Sequence, residues 1–276
     1  MDEVSDPAIS VLAEGFFLGG PKLYILNKIK DTSYLALLFI GQRNNILSLQ
    51  TKNTKNYFNK LMFHTRVRAA NRIGPHNHDV ISVIVGSLLG DCYGSRRSVE
   101  GTRLVYKQSI VKKNYLFWLY AFFYSRGYAS NLEPRMYTRK LKKGDEVKEY
   151  YGYEFNTFTF RSFNWIYEMF YNKGKKVISL KIERYLTPLA LAVWIMDYGG
   201  WAKPGTRIAT NSFKLEEVEF LASVLRKNFD LDCTVQKIGT IDQYSIYIKG
   251  SSIPALRKLV LPYLHPSMHY KVGLKA

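Results

Sequence analysis

Two aspartates stand at the ends of short apolar stretches, and together they could do chemistry. The first closes Val83-Ile84-Val85-Gly86-Ser87-Leu88-Leu89-Gly90-Asp91. The second lies in Leu189-Ala190-Leu191-Ala192-Val193-Trp194-Ile195-Met196-Asp197-Tyr198-Gly199, about a hundred residues further on. Two carboxylates brought together repel each other unless a cation intervenes, and oxygen ligands suit a hard divalent one. Such a cation can activate water and stabilise a leaving oxygen, which is the chemistry of phosphodiester cleavage. A helix C-terminus is electronegative, so acids placed there would raise cation affinity further.

The elements around these stretches must position them. Gly86 and Gly90, four apart, share one helix face and favour close packing against a second helix. Two such helices packed side by side would bring their ends together at a pseudo-twofold axis. The first helix starts at Asp79, a plausible N-cap. It is followed by a strand over Thr102 to Ser109, which leaves room for a hairpin. Then come a helix over Lys112 to Arg126, strands over Arg135 to Leu141 and Glu146 to Arg161, and a helix over Ser162 to Tyr171 closed by Gly174. The turn between those two strands is Lys142-Lys143-Gly144-Asp145. Thr187, with Pro188 at the first helical position, restarts the order. The second round gives a helix to Tyr198, strand material from Trp201 to Ser212 broken at Pro204-Gly205, and a helix over Glu216 to Phe229. It closes with a hairpin of Asp232 to Ile238 and Tyr244 to Lys249 about Gly239-Thr240-Ile241-Asp242, and a helix over Ser252 to Tyr263. The fold class is α+β, with two pseudo-symmetric αββαββα units carrying saddle-shaped antiparallel sheets.

The chain of 276 residues suits one large domain or two small ones, and 47% hydrophobic residues suffice for a core. A formal net charge of +18 and a pI near 9.7 point to a polyanionic partner, most often nucleic acid. The 21 tyrosines, mixed with Lys and Arg, suit contact with phosphates and base edges. Cys92 and Cys233 read as buried thiols, neither a disulfide framework nor a zinc site. No window approaches the twenty apolar residues of a membrane span, so no membrane partner is expected. The N-terminus carries Asp2, Glu3 and Asp6, unlike a transit peptide, so the protein is made where it acts or is cytoplasmic.

Residues 1–73 read as an N-terminal extension with little core, marked by Gly19-Gly20-Pro21 and the polar run Gln50 to Asn56. Phe63 to Arg72 is basic and reads equally as a short helix touching DNA or as a solvated linker. Gly74-Pro75 opens the first unit, 74–180, and the second occupies 181–276.

From about residue 74 to 276 the chain resembles the LAGLIDADG homing endonucleases of the monomeric, two-motif type encoded in organelle introns. The likeness rests on the two apolar stretches and on Tyr185-Leu186-Thr187-Pro188-Leu189. It rests also on Ser212-Phe213 followed by Glu216-Glu217-Val218-Glu219, and on Pro262-Tyr263-Leu264 with Tyr270-Lys271. The resemblance implies a monomer that binds a long double-stranded DNA site along the major groove and cleaves it with Mg²⁺. It implies an organelle, the mitochondrion ahead of the chloroplast.

Carried over residue by residue, the resemblance makes Asp91 the metal-binding acid of the first motif. Gln108 becomes the polar residue beside the metal, and Asn211 its counterpart in the second unit. Arg161, aligned across a small gap, and Lys271 match basic residues placed beside the scissile phosphates. The departure is Tyr198, which stands where the family has its second acid. Asp197 precedes that position, and one helical residue turns a side chain by about 100°, so Asp197 is expected to point elsewhere and is the weaker metal candidate. A tyrosine has a reference pKa of about 10, so Tyr198 is expected to be neutral and a poor ligand. Efficient cutting of both strands is therefore in question. Some relatives are maturases that help their host intron RNA to splice without the nuclease centre, and this is the alternative function. A third possibility is a decaying reading frame that folds but does neither.

Overall fold

The computed structural model describes residues 67–143, 146–239 and 242–274. All belong to one compact unit, Lys60–Ala276. The extension up to residue 66, with its glycine-proline breaker and polar run, and the turn residues 144, 145, 240 and 241, lie outside the described residues.

Among the described residues, six α-helices and two four-stranded sheets follow one another in the same order twice. The first round is α1 (His78–Leu89), β1 (Tyr93–Ser98), β2 (Gly101–Ser109), α2 (Lys113–Ser125), β3 (Arg135–Lys143), β4 (Glu146–Asn156) and α3 (Asn164–Phe170). A small hairpin, β5 (Tyr171–Asn172) and β6 (Lys175–Lys176), then leads to the second round. This comprises α4 (Pro188–Tyr198), β7 (Gly199–Ala202), β8 (Gly205–Ala209), α5 (Leu215–Phe229), β9 (Cys233–Lys237), β10 (Tyr244–Ile248) and α6 (Ile253–Val260). The sheets have the equivalent orders β1-β2-β4-β3 and β7-β8-β10-β9, antiparallel throughout. The α+β duplication expected from the sequence is the architecture observed.

Each sheet buries one face under its own helices. Tyr106 stacks on Phe155 with ring centroids 4.7 Å apart and meets Phe123 of α2. In the second sheet Ile208, Ile246 and Ile248 are fully buried, as are Leu221 and Leu225 of α5. Helices α1 and α4 are different: they are apolar all round and buried almost throughout. Such a helix needs neighbours on every side. Each has the other, and a Cβ at Gly86 would lie 2.3 Å from the Ala190 carbonyl oxygen, so only glycine admits this approach.

Local signals hold in most places and fail in three. Thr187 does cap α4, its Oγ1 accepting from the Ala190 N–H at 3.1 Å with Pro188 in the first turn. Asp79, however, is not the cap of α1. The N-cap is Asn77, and Asp79 sits in the first turn, where it accepts from the Val80 N–H and pairs with Arg126. The strand expected to run to Arg161 stops at Asn156. The chain then keeps contact only through isolated bridges, Ala129 to Thr157 and Thr102 to Phe160, before a 3₁₀ turn at Arg161–Phe163. Gly174 does not close a helix. Lys173 and Gly174, with φ of 49° and 77°, make the two-residue turn between β5 and β6.

Before α1, a 3₁₀ turn at Ala69–Asn71 leads into the first unit. Arg72 is tied down there: it donates to the Thr159 carbonyl at 2.9 Å and its guanidinium lies 4.9 Å from the Phe158 ring centroid. Cys92 and Cys233 are free and buried. No helix among the described residues is long and apolar enough to cross a membrane.

Candidate metal and nucleic-acid site

Asp91 is the first residue past Gly90, the C-cap of α1, and Asp197 is the penultimate residue of α4. Because the two helices cross closely, their C-terminal ends meet. A Cβ at Gly90 would fall 2.2 Å from Asp197 Oδ2, so the Asp197 carboxyl occupies the space that glycine leaves open. The Asp91 backbone N–H donates to Asp197 Oδ2 at 3.1 Å. Gln108 of β2 clamps the pair, its Nε2 donating to Asp91 Oδ2 at 2.9 Å and to Asp197 Oδ1 at 3.0 Å.

This corrects the expected direction of Asp197. The single-helix rotation of about 100° per residue is right, but it turns the carboxyl across the helix crossing toward Gly90 rather than away from the site. What decides is the partner helix, whose missing side chain makes room.

Three ammonium groups surround the carboxylates. Lys112, just before α2, donates to Asp91 Oδ2 at 3.3 Å and to the Asp197 carbonyl at 3.0 Å. Lys271 donates to the Met196 and Asp197 carbonyls. Lys176 of β6 donates to the Gly90 carbonyl at 3.3 Å. Each thus caps the electronegative end of α1 or α4. Lys176 and Lys271 are related by the duplication: Gly90 precedes Asp91 as Asp197 precedes Tyr198.

That relation locates the other residues singled out in the sequence. Arg161 is exposed at the start of its 3₁₀ turn, and the basic side chain that matches Lys271 across the pseudo-twofold is Lys176. Asn211 is exposed just past β8. Tyr93 pairs with Val105 as Gly200 pairs with Arg207, so three residues on from each the counterpart of Gln108 is Thr210. Thr210 is buried and donates to the Tyr244 carbonyl at 2.7 Å. The hairpin registers therefore place Gln108 and Lys271 at the carboxylates, and leave Arg161 and Asn211 outside this network. Lys112 and Lys176 were missed by the sequence reading. The pairing of Lys176 with Lys271 could have been found by counting back from Tyr198, but nothing in the linear pattern marks Lys112.

The electrostatics follow from burial. Asp197 is buried, and desolvation, reinforced by the Asp91 charge, pushes its carboxyl up to about 7. Desolvation also lowers Lys271, to about 8, and lowers Lys176. Burial, then the charges of Asp91 and Asp197, push the half-buried Tyr198 phenol up to about 12, so it is neutral at ordinary pH. Tyr115 buries its hydroxyl beside Asp197, where burial first and then that carboxylate raise its pKa.

The group offers hard carboxylate oxygens side by side, and Asp91, the more exposed of the two, is where a divalent cation would be held. Neutral Tyr198 stands where the pseudo-twofold places the counterpart of Asp91. Among the described residues, no set of three or more His, Cys, Asp or Glu could hold a metal by itself.

On both sides of this centre the sheets turn an open face outward. In the first sheet that face carries Arg103, Lys107, Arg135, Tyr137, Arg139 and Lys148, since alternate residues share a face and their neighbours Leu104, Tyr106 and Phe155 are buried. In the second it carries Arg207, Gln236 and Tyr247.

Residues 81–256 match the profile of the LAGLIDADG DNA endonuclease family, and the chain belongs to that family. An intron-encoded endonuclease, ai4, of Dictyostelium discoideum is 53% identical over 158 residues, covering 57% of this chain and 99% of that protein. The cytochrome b mRNA maturase bI2 of Saccharomyces cerevisiae is 38% identical over 236 residues, 83% of this chain. This chain spans 55% of that maturase's length. Among solved structures, the homing endonuclease I-WcaI bound to its DNA recognition sequence superposes with a TM-score of 0.64 at 26% identity. That match covers 72% of this chain and 88% of the other.

Proposed function

We propose that this protein binds a long, specific site on double-stranded DNA and cleaves one strand there at a single Mg²⁺-dependent centre built on Asp91. The observation that carries the reading is the cluster of Asp91, Asp197 and Gln108 at the paired helix ends, set between two outward-facing sheets. The likeness to I-WcaI, which is bound to its DNA recognition sequence, supports duplex binding, and we place the duplex along those sheets. We read the protein as a monomer acting in an organelle, the mitochondrion first, a reading supported by the likeness to cytochrome b mRNA maturases. Asp91 would hold the ion, with the Asp197 carboxyl beside it. When bound, the ion supplies Lewis-acid polarisation of the phosphate and a lowered pKa for water.

The chain's own residues do the rest. Gln108 fixes both carboxylates in one register. Lys176 and Lys271 neutralise the helix-end carbonyls, so the acids need not be held apart. Lys112, 22% exposed at its side chain, keeps a positive charge where the phosphate backbone arrives. Asp197, with its raised affinity for a proton, is the weaker ligand of the two.

The test is incubation with a duplex selected from a randomised library, with Mg²⁺. A nick in one strand, lost in Asp91→Asn while binding persists, is the expected result. Double-strand breaks at equal rates would overturn the single centre.

A second reading is favoured by one residue. Tyr198 removes the acid a second centre needs, and a protein that only holds RNA does not need that acid. In this reading the chain assists splicing of its host intron RNA, and its likeness to proteins named cytochrome b mRNA maturases supports it. Measuring splicing of the host intron RNA with and without the protein tests it; an unchanged rate counts against it.

A further inference from the structure

The two sheets are equivalent in strand order but not in reach. In the first, β3 and β4 pair over nine positions, from Arg135 with Glu154 to Lys143 with Glu146. In the second, β9 and β10 pair over five, from Cys233 with Ile248 to Lys237 with Tyr244. The equivalent starting pairs are Arg135 with Glu154 and Gln236 with Ser245; beyond them the first ladder runs eight pairs further, the second only to Lys237 and the Ile238 N–H bonded to the Gln243 carbonyl. At about 3.4 Å per residue, the six additional positions carry the first hairpin roughly 20 Å further out. That is about six base-pair steps of duplex at 3.4 Å each.

The extension is not a structural necessity of the core. From Lys140 to Lys142 and from Glu146 to Tyr151, the described side chains are exposed on both faces of the hairpin. A projecting two-stranded ribbon with no core beneath it is marginal by itself in water. Its open face beyond Tyr137 presents Arg139, Leu141, Lys148 and Tyr150. Arg139 and Lys148 make no ion pair among the described residues, whereas Lys107 and Arg135, nearer the centre, are both held by Glu154. Tyr150 is 50% exposed and Leu141 41% exposed. Beside the shorter second hairpin, Arg207 of β8 donates to Gln236 of β9 on the open face.

We infer that the first unit's hairpin is the specificity-determining arm, reading about six base pairs more of its half-site than the second unit reads. The footprint is therefore asymmetric about the cleavage centre. This rests on the DNA-binding reading above. Free cations and exposed aromatic and aliphatic side chains at the ribbon tip suit a partner that offers phosphates and base edges together.

The test is hydroxyl-radical footprinting of the full chain on a duplex recovered from a randomised library, without Mg²⁺. The wild type should protect one arm about six base pairs further than the other, as the pairing difference requires. A second variant joins Arg139 to Tyr150 through Asn-Gly, the two-residue turn that suits this register. It shortens the ribbon by four pairs and removes only residues outside the core. It should keep its thermal unfolding midpoint, lose protection at the distal end of the longer arm alone, and tolerate base changes there. Equal arms in the wild type overturn the inference while leaving DNA binding intact, and so does a longer arm unchanged in the shortened variant. Recovery of no sequence-selective duplex overturns the DNA-binding reading and this inference with it.

Discussion

Tyr198 and Asp197 are adjacent on one helix and behave oppositely. The tyrosine stands at the position symmetric to Asp91 and stays neutral. The aspartate is one residue early, yet its carboxyl reaches the same Gln108 nitrogen as Asp91. Replacing Tyr198→Asp puts a charged acid against Asp91 on the other side of the pseudo-twofold. The expected outcome is conversion of nicking to double-strand cleavage with Mg²⁺, read by plasmid linearisation. No linear product would mean that a second centre needs more than its acid.

The raised proton affinity of Asp197 sets a pH dependence of stability. Below about pH 4 the carboxyl is protonated both folded and unfolded. Between there and its folded value of about 7, the folded state keeps a proton that the unfolded chain has lost. Stability from this group therefore falls as pH rises through that window and is level above it. Asp197→Asn lacks this slope, so its melting temperature relative to the wild type should improve from pH 5 to pH 8. A difference that stays constant over that range would contradict a buried, proton-holding Asp197.

At the scale of elements, everything at the site depends on how closely α1 and α4 approach. The crossing is set by Gly86 against Ala190 and Val193, and by Gly90 against Asp197. Gly86→Ala would gain helix propensity of about 1 kcal/mol. It would also force a methyl into a backbone carbonyl, and overpacking of this kind typically costs about 1–3 kcal/mol. Net destabilisation is expected, measured by urea unfolding, with weaker Mg²⁺ dependence because the carboxylates separate. A stabilised variant would show that the helices can move apart without cost. The same crossing explains the lysines: two helix ends meeting in a buried place leave carbonyls unpaired, and Lys176, Lys271 and Lys112 satisfy them.

For the whole molecule the governing quantity is charge. Forty basic residues against twenty-two acidic ones give +18, and Arg103, Lys107, Arg135, Arg139, Lys148 and Arg207 are among those on the open sheet faces. If six or more phosphates are neutralised, log K for DNA should fall with log salt at a slope of about −5 or steeper. Titration at several salt concentrations measures it, and a slope shallower than about −2 would remove the saddle as the binding surface.

The duplicated order, the α+β class and the helix of Pro188 to Tyr198 were legible in the sequence. They depend on short-range signals: apolar runs, a Thr-Pro cap, alternation along strands. That Asp91 and Gln108 lie side by side was legible too, because a motif fixes them at set spacings from one helix. Asn211 lies one residue from Thr210, the register counterpart of Gln108, and Arg161 one element from Lys176, the counterpart of Lys271; these offsets escape the local chain, since register and turn geometry are decided by pairing partners. Lys112 and the inward direction of Asp197 were beyond the sequence. Both depend on the meeting of two helix ends a hundred residues apart, where the absence of a side chain at Gly90 gives one carboxyl its place and the unpaired carbonyls draw in the ammonium groups. The sequence by itself determined that two acid-tipped helices would be built; only the tertiary packing decided that Asp197, despite Tyr198, would share the site of Asp91.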